Sequence, residues 1–272
     1  MNQHPLEAGF VGAGNMGQAL IAGLIRGGID ATAIGIAEPD AARATALQAQ
    51  FPGLALHAPA ELAARTRTLV LAVKPQVLPT LAPTLAAAVA TAAPLVISVA
   101  AGVSTARMAA WLGAETRIIR AMPNTPALIG AGIAGLFAND RASAADRETA
   151  ERLLGAVGTT VWISEEEQMH AVTATSGSGP AYVFLLIEAM AAAAERLGLD
   201  SDRARELSLA TVAGAARLAA GSAEGPAQLR ARVTSPGGTT ERAVAVFEDG
   251  GLRELVAEAM QAAAARSREL GG

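Results

Sequence analysis

The stretch Phe10-Val11-Gly12-Ala13-Gly14-Asn15-Met16-Gly17 follows an apolar run and opens an amphipathic one, with glycine at the first, third and sixth places of the turn. That spacing suits a dinucleotide. Gly12 permits a tight turn, Gly14 lets the backbone approach a pyrophosphate, and Gly17 lets the following helix pack on the preceding strand, so that the helix's free N–H groups meet the anion. An acid follows at the matching distance: Glu38 stands 21 residues after Gly17, where a carboxylate accepts a hydrogen bond from a ribose 2′-hydroxyl. A carboxylate there repels a 2′-phosphate and favours NADH, whereas Arg43 is placed to swing in and neutralise one. Glu38 is equally placed to cap the helix that starts near Asp40. NADPH and NADH both stay open.

Two further loops deliver hydroxyls at helix starts. Ser176-Gly177-Ser178-Gly179-Pro180 ends on a proline suited to a first helical position, and Thr234-Ser235-Pro236-Gly237-Gly238-Thr239-Thr240-Glu241 carries two adjacent threonines. Each reads either as plain capping by Ser or Thr or as a cradle for a substrate carboxylate.

What is missing narrows the chemistry. The 272 residues contain no Cys, so disulfides, zinc ribbons and thiol nucleophiles are excluded. A three-histidine zinc site would need His4, His57 and His170 together, and no metal is expected. Of the 21 basic residues only Lys74 is a lysine, and Tyr182 is the only tyrosine. Short-chain dehydrogenase chemistry, which needs a Tyr and a Lys one helical turn apart, is thereby excluded. Hydroxyacid dehydrogenases of the 3-hydroxyisobutyrate type share the layout but place a catalytic Lys early in a long central helix, and Gly177–Tyr182 has none. A carbonyl reductase must also protonate a developing alkoxide. A protonated imine already carries its positive charge, so hydride attack yields a neutral amine, and a hydroxyl with an anion cradle suffices. The net charge of −4, with no Lys/Arg cluster, argues against nucleic acid.

The elements that must position these residues follow from periodicity. Short apolar runs at Ala8–Val11, Ile34–Ala37, Leu54–His57, Thr68–Val73, Leu95–Val99, Arg117–Ala121, Ile133–Phe137 and Thr160–Ile163 predict strands. Amphipathic stretches at Met16–Arg26, Asp40–Gln50, Thr105–Leu112 and Asp146–Val157 predict helices between them. The alternation implies an α/β, Rossmann-like domain over residues 1–164 with a mainly parallel sheet. Residues 165–272 read as all-helical, with helices over Gln168–Thr175, Pro180–Leu197, Asp202–Ala220, Pro226–Val233, Thr240–Glu248 and Arg253–Leu270. The uncharged run from Pro75 to Ala106 suggests a membrane span by length, but Pro94 interrupts it and alanine drives insertion weakly. A helix followed by a buried strand explains it better. With Glu7 in place of a signal's apolar region, a soluble, cytoplasmic protein is expected. Pro180–Leu197 is apolar nearly all round, which predicts burial in a homo-oligomer interface or, failing that, at the centre of a monomeric bundle.

Taken together, the chain resembles the pyrroline-5-carboxylate reductases. The resemblance runs from the glycine-rich turn to about Arg268, through Ala72-Val73-Lys74-Pro75-Gln76, Ser98-Val99-Ala100-Ala101-Gly102, Arg120-Ala121-Met122-Pro123-Asn124-Thr125-Pro126, Ser176–Tyr182 and the signature Thr234–Thr240 loop. It implies NAD(P)H-dependent reduction of 1-pyrroline-5-carboxylate to proline, and a C-terminal dimerisation domain of intertwined helices, often assembled into larger rings. Coenzyme contacts are implied for Val11, Gly12, Ala13, Gly14, Asn15, Met16, Gly17, Glu38, Ala72, Val73, Lys74, Pro75, Ala100 and Ala101, and for Asn124 near the nicotinamide. Ser178, Gly238, Thr239 and Thr240 are implied to hold substrate, with the Thr240 hydroxyl near the ring nitrogen as the catalytic group. The chain departs from the family at Pro59, where an Asn is common, at Ala231 and Arg232, where an Asp is common, and at Glu241, where an apolar residue is usual. A silent dinucleotide-binding protein and a reductase of a related cyclic imine are the other readings.

Overall fold

The computed structural model describes residues 5–271, so His4 of the three-histidine set lies outside the described residues. Eight strands, β1 (Leu6–Val11), β2 (Ile34–Ala37), β3 (Ala55–Leu56), β4 (Thr66–Leu71), β5 (Leu95–Ser98), β6 (Ile118–Met122), β7 (Gly132–Ala138) and β8 (Gly158–Trp162), form one sheet in the order β3-β2-β1-β4-β5-β6-β7-β8. Neighbours run parallel except β6 and β7, which are antiparallel. All eight predicted strands are present.

Helices α1 (Asn15–Arg26), α2 (Ala41–Gln50), α3 (Pro59–Arg65), α4 (Leu78–Ala92), α5 (Thr105–Leu112) and α6 (Ala144–Gly155) connect them. Side chains alternate between two cores because strand residues point to opposite faces. Val70, Ile97, Ile119 and Ala121 pack with Leu20, Ile21 and Leu24 of α1, Leu47 of α2 and Leu153 and Leu154 of α6. Leu69, Leu71, Val96 and Ile118 pack with Leu62 of α3, Leu78 and Leu85 of α4 and Met108 and Leu112 of α5. Each such Leu or Ile removed from water contributes about 1.5–3 kcal/mol. The uncharged run beginning at Pro75 thus resolves into a core-packed helix and a strand buried on both faces, α4 and β5. Helix α3 has no counterpart in the sequence reading. Its seven residues are too short for a periodic signal, and Pro59, which departs from the family, serves as its first-turn proline.

Helix α7 (Met169–Val172) and a π-helical turn, Thr173–Gly177, follow β8. Helices α8 (Gly179–Arg196), α9 (Ser201–Gly221), α10 (Pro226–Arg232), α11 (Thr239–Asp249) and α12 (Leu252–Gly271) complete the chain. Strands give way to helices after Trp162, close to Ser164, but the compact units divide elsewhere. Residues up to Ser178 and Ala262–Gly272 form one unit, and Gly179–Gln261 form the other. The end of α12 packs against the first unit at Gly102. Gly102 (φ +82°) meets it so closely that an added Cβ would lie 2.7 Å from the Ser267 carbonyl oxygen and 2.9 Å from the Gly271 nitrogen. Nearby, His170 Nδ1 lies 2.9 Å from Ser267 Oγ and Arg268 Nε donates to Glu167 at 2.6 Å.

Within Gly179–Gln261 only Ala204 and Ser208 are buried. Helix α8 contributes no buried residue, and Phe184, Leu185, Leu218, Val246 and Leu255 are all exposed. The central-helix reading of α8 is therefore not what the single chain shows. Apolar surface on this scale marks an interface.

Burial, and next the Arg120 guanidinium, hold the His170 imidazole below its ordinary value, with Glu167 opposing. The folded chain therefore favours neutral His170. Below the unfolded value of about 6.5 the unfolded chain protonates first, so stability falls as pH drops towards the folded value. Between about pH 7.5 and about pH 5 the melting temperature should fall less in His170→Gln than in the parent. Thermal melts at both pH values check this, and equal falls would show that His170 contributes nothing.

Candidate active site

The glycine-rich turn lies at the carboxyl ends of β1 and β4, where the chain order of the sheet reverses. Such a crevice is where open α/β sheets bind ligands. Backbone bonds pin it: Gly12 N–H donates to the Ala37 carbonyl at 2.8 Å, and Ala72 N–H donates to that of Val11 at 2.8 Å. Gly12 has φ +91°, and an added Cβ would lie 2.7 Å from the Ala72 carbonyl oxygen. A Cβ on Gly17 would lie 2.6 Å from the Gly12 carbonyl oxygen, so the helix rests directly on the turn. Gly14, by contrast, has nothing within 4 Å of an added Cβ, and it heads α1 with no side-chain cap. The first-turn N–H groups of Asn15, Met16 and Gly17 thus face an open cradle that a pyrophosphate fits.

Glu38 reaches this turn from the end of β2. Its carboxylate is buried, 4% exposed, and accepts from Ala13 N–H at 2.8 Å, Asp40 N–H at 2.9 Å and Arg43 Nη1 at 3.2 Å. It does not cap α2; Asp40 does, accepting from Arg43 N–H at 3.1 Å. Glu38 instead ties the second strand's end to the Ala13 peptide, a bond that spacing alone does not reveal. Ala72, Val73 and Lys74 follow β4 beside the turn; Lys74 is exposed and Pro75 opens a short 3₁₀ turn. Ala100 is buried and Ala101 half-buried just after β5.

Asn124 lies in the loop after β6 with its side chain turned inward. Its Oδ1 accepts from Ile133 N–H at 3.0 Å, and its Nδ2 donates to the Ser176 carbonyl at 3.1 Å. Ser178 closes the π turn, its N–H donating to the Thr173 carbonyl at 2.8 Å. An ion pair with its arginine buried, which the sequence reading missed, supports this end of the sheet. Arg120, nearly inaccessible, meets Glu166 at 3.3 Å, and Glu166 also accepts from Thr105 N–H and Oγ1 at 2.7 Å each. Burial lowers the Arg120 pKa, against which Glu166 holds its charge. Glu166 sits in the run Glu165-Glu166-Glu167, which by itself reads as a solvated patch.

In the second unit the signature loop turns at Gly237 (φ +74°) and closes with Gly238 N–H donating to the Ser235 carbonyl at 3.0 Å. Gly238 is the N-cap of α11, with no side-chain cap bond, and Thr239 and Thr240 follow in the first turn. Among the described residues neither threonine hydroxyl has a hydrogen-bond partner. Capping is therefore not what they do. Glu241, the departure from the family pattern, accepts from Gly237 N–H at 2.7 Å and so braces the loop from behind.

A family model described as "NADP oxidoreductase coenzyme F420-dependent" matches residues 7–102, and one described as "Pyrroline-5-carboxylate reductase dimerisation" matches residues 166–270. A pyrroline-5-carboxylate reductase of Pseudomonas aeruginosa is 46% identical over 96% of this chain and 95% of its own. The chain belongs to the pyrroline-5-carboxylate reductase family. The fold agrees throughout: a reductase structure from Coxiella burnetii superposes with a TM-score of 0.92 at 40% identity, covering 99% of this chain and 100% of that one. A pyrroline carboxylate reductase from Plasmodium falciparum with NADP bound gives 0.87 at 28% identity, covering 98% of each chain. In this chain Gly14 and Gly17 have different duties. Gly14→Ala should leave the melting temperature nearly unchanged and weaken coenzyme binding about tenfold, because its methyl enters the open cradle. Gly17→Ala should destabilise by about 1–3 kcal/mol, because its methyl meets backbone. Thermal melts and coenzyme titration separate the two, and equal melting temperatures would overturn the distinction.

Proposed function

We propose that the chain reduces 1-pyrroline-5-carboxylate to L-proline, the last step of proline synthesis, using NADPH or NADH. The observation that carries this reading is the pair of unpartnered hydroxyls, Thr239 and Thr240, at the uncapped start of α11, in a protein whose other unit presents an uncapped, glycine-lined helix start. The reduced nicotinamide, when bound, supplies a hydride to the imine carbon. The Thr240 hydroxyl orients the protonated ring nitrogen, which becomes the neutral amine without a side-chain acid. Backbone N–H groups of Thr239 and Thr240, in the first turn of α11, hold the carboxylate by their partial positive charge. The absence of a catalytic Lys or Cys is consistent with this chemistry.

The working form is a homodimer or a larger homo-oligomer. A unit with two buried residues cannot offset its conformational entropy alone. Glu166–Arg196 is also a helical stretch long and apolar enough to cross a membrane by length and composition. This reading gives that surface to a second copy of the chain, and it has no nucleic-acid or membrane partner. A cytoplasmic location fits the biosynthetic substrate of this reading.

Two experiments test the reading. Thr240→Ala should lower kcat by about a hundredfold and leave coenzyme KM within about threefold, as expected for an interaction made at the reacting centre. Equal turnover of that variant with pyrroline-5-carboxylate would sink the role of Thr240. Coenzyme choice turns on Glu38 and Arg43. Glu38→Ser should shift the ratio of kcat/KM towards NADPH by about tenfold while lowering both values, because the Ala13 N–H loses its acceptor. Arg43→Ala should move the ratio towards NADH. Steady-state kinetics with both coenzymes decides, and an unchanged ratio in both variants would remove this pair from coenzyme selection.

A further inference from the structure

Strand β6 ends at Met122, whose partner across the antiparallel ladder is Gly135. Carried on in the same register, the ladder places Asn124 opposite Ile133. The backbone pairing stops there because the Asn124 carbonyl, which the ladder would offer to the Ile133 N–H, accepts from Ala127 N–H at 3.1 Å instead. The Asn124 side chain takes over: its Oδ1 accepts the Ile133 N–H at 3.0 Å. The other end of the amide, Nδ2, reaches the Ser176 carbonyl at 3.1 Å. That carbonyl lacks its ordinary helical donor, because the residue four places on is Pro180, which has no N–H. One buried amide thus replaces a ladder bond whose backbone acceptor has turned to Ala127 and a helical bond that Pro180 has removed. Its orientation is set by its partners, since the flipped amide would face N–H to N–H and oxygen to oxygen. Gly177 is held to the same loop by size, because an added Cβ would lie 2.5 Å from Met122 Cε.

We infer that Asn124 is a positioning residue for the proposed reaction. It acts through Ser176, locking the π turn Thr173–Gly177 and the Ser178 that follows to the loop after β6. A π turn inside a helical segment is strained and often marks a functional site. Left without its donor, the partly buried Ser176 carbonyl would be unsatisfied, and the turn would relax towards regular helix and shift Ser178. The role rests on the reductase reading, but the bond network does not.

The experiment is a double-mutant cycle between Asn124→Asp and Pro180→Ala. The aspartate keeps an oxygen for the Ile133 N–H and puts a second acceptor against the Ser176 carbonyl. Pro180→Ala restores an N–H where the helix would supply one. In hydrogen–deuterium exchange of the ligand-free chain, amides of residues 173–178 should exchange about tenfold faster in Asn124→Asp, with β1 and α1 unchanged. The Pro180→Ala change should recover part of that protection. With pyrroline-5-carboxylate, kcat should fall about ten- to a hundredfold while coenzyme KM stays within about threefold, and the double variant should regain part of the loss. Unchanged exchange at 173–178, or an equal effect of Asn124→Asp in both Pro180 backgrounds, would overturn the assignment. Should Asn124→Asp fail to fold, Asn124→Ser enters the same cycle with the same expectations. Failure of the parent chain to oxidise NADPH or NADH with that substrate would count against the reaction alone, since the exchange measurement reads Asn124 without turnover.

Discussion

The close approach of backbone to backbone at the first strand's end governs the nucleotide half of this protein. Gly12, Gly17 and Ala72 sit so near one another that any Cβ on either glycine would strike a carbonyl oxygen. Because the helix rests on the turn, its first N–H groups are aimed into the crevice and not into a neighbouring side chain. Glu38 depends on the same geometry, since its carboxylate reaches the Ala13 N–H only when β2 and the turn lie this close. The position of the anion cradle and the fate of the second strand's acid are two results of one steric constraint.

The second unit has the opposite character. Its helices carry Phe184, Leu185, Leu218 and Val246 outward and bury almost nothing. Its polar loop, by contrast, is well ordered within itself, with Gly237, Gly238, Ser235 and Glu241 closing a small set of bonds. The result is a preformed pair of free hydroxyls on a unit that needs another chain to cover its apolar faces. On the function proposed above, a substrate site on this helix start, with stability left to assembly, would tie activity to the oligomer.

The loop after β6 and the turn before Pro180 show how one side chain covers for absent backbone bonds. The Asn124 carbonyl leaves the ladder for the Ala127 N–H, Pro180 removes a helical donor, and the Asn124 side chain answers both with a single amide. The Arg120–Glu166–Thr105 set has a comparable role, joining β6, α5 and the segment after β8. In each case a polar side chain substitutes for missing backbone bonds, in surroundings where an unpaired group is costly.

Strand and helix identity was legible in the residues themselves. Val70 against Leu69 and Leu71, or Ile97 against Val96, already shows two covered faces, and the glycine spacing shows the turn, because period and turn sterics are local properties. The Thr239–Thr240 pair and Glu38 were legible as candidates for the same reason. What only the tertiary structure decided is where non-local partners meet. Helix α3, too short to show a period, emerged from packing of Leu62. The end of α12 returned to the first unit across Gly102, Glu166 proved to be a bonded group in an ordinary-looking acidic run, and Asn124 turned inward to Ser176. These pairings link residues far apart in the chain, and no periodicity or spacing encodes them; they exist only once the sheet has brought its edges together.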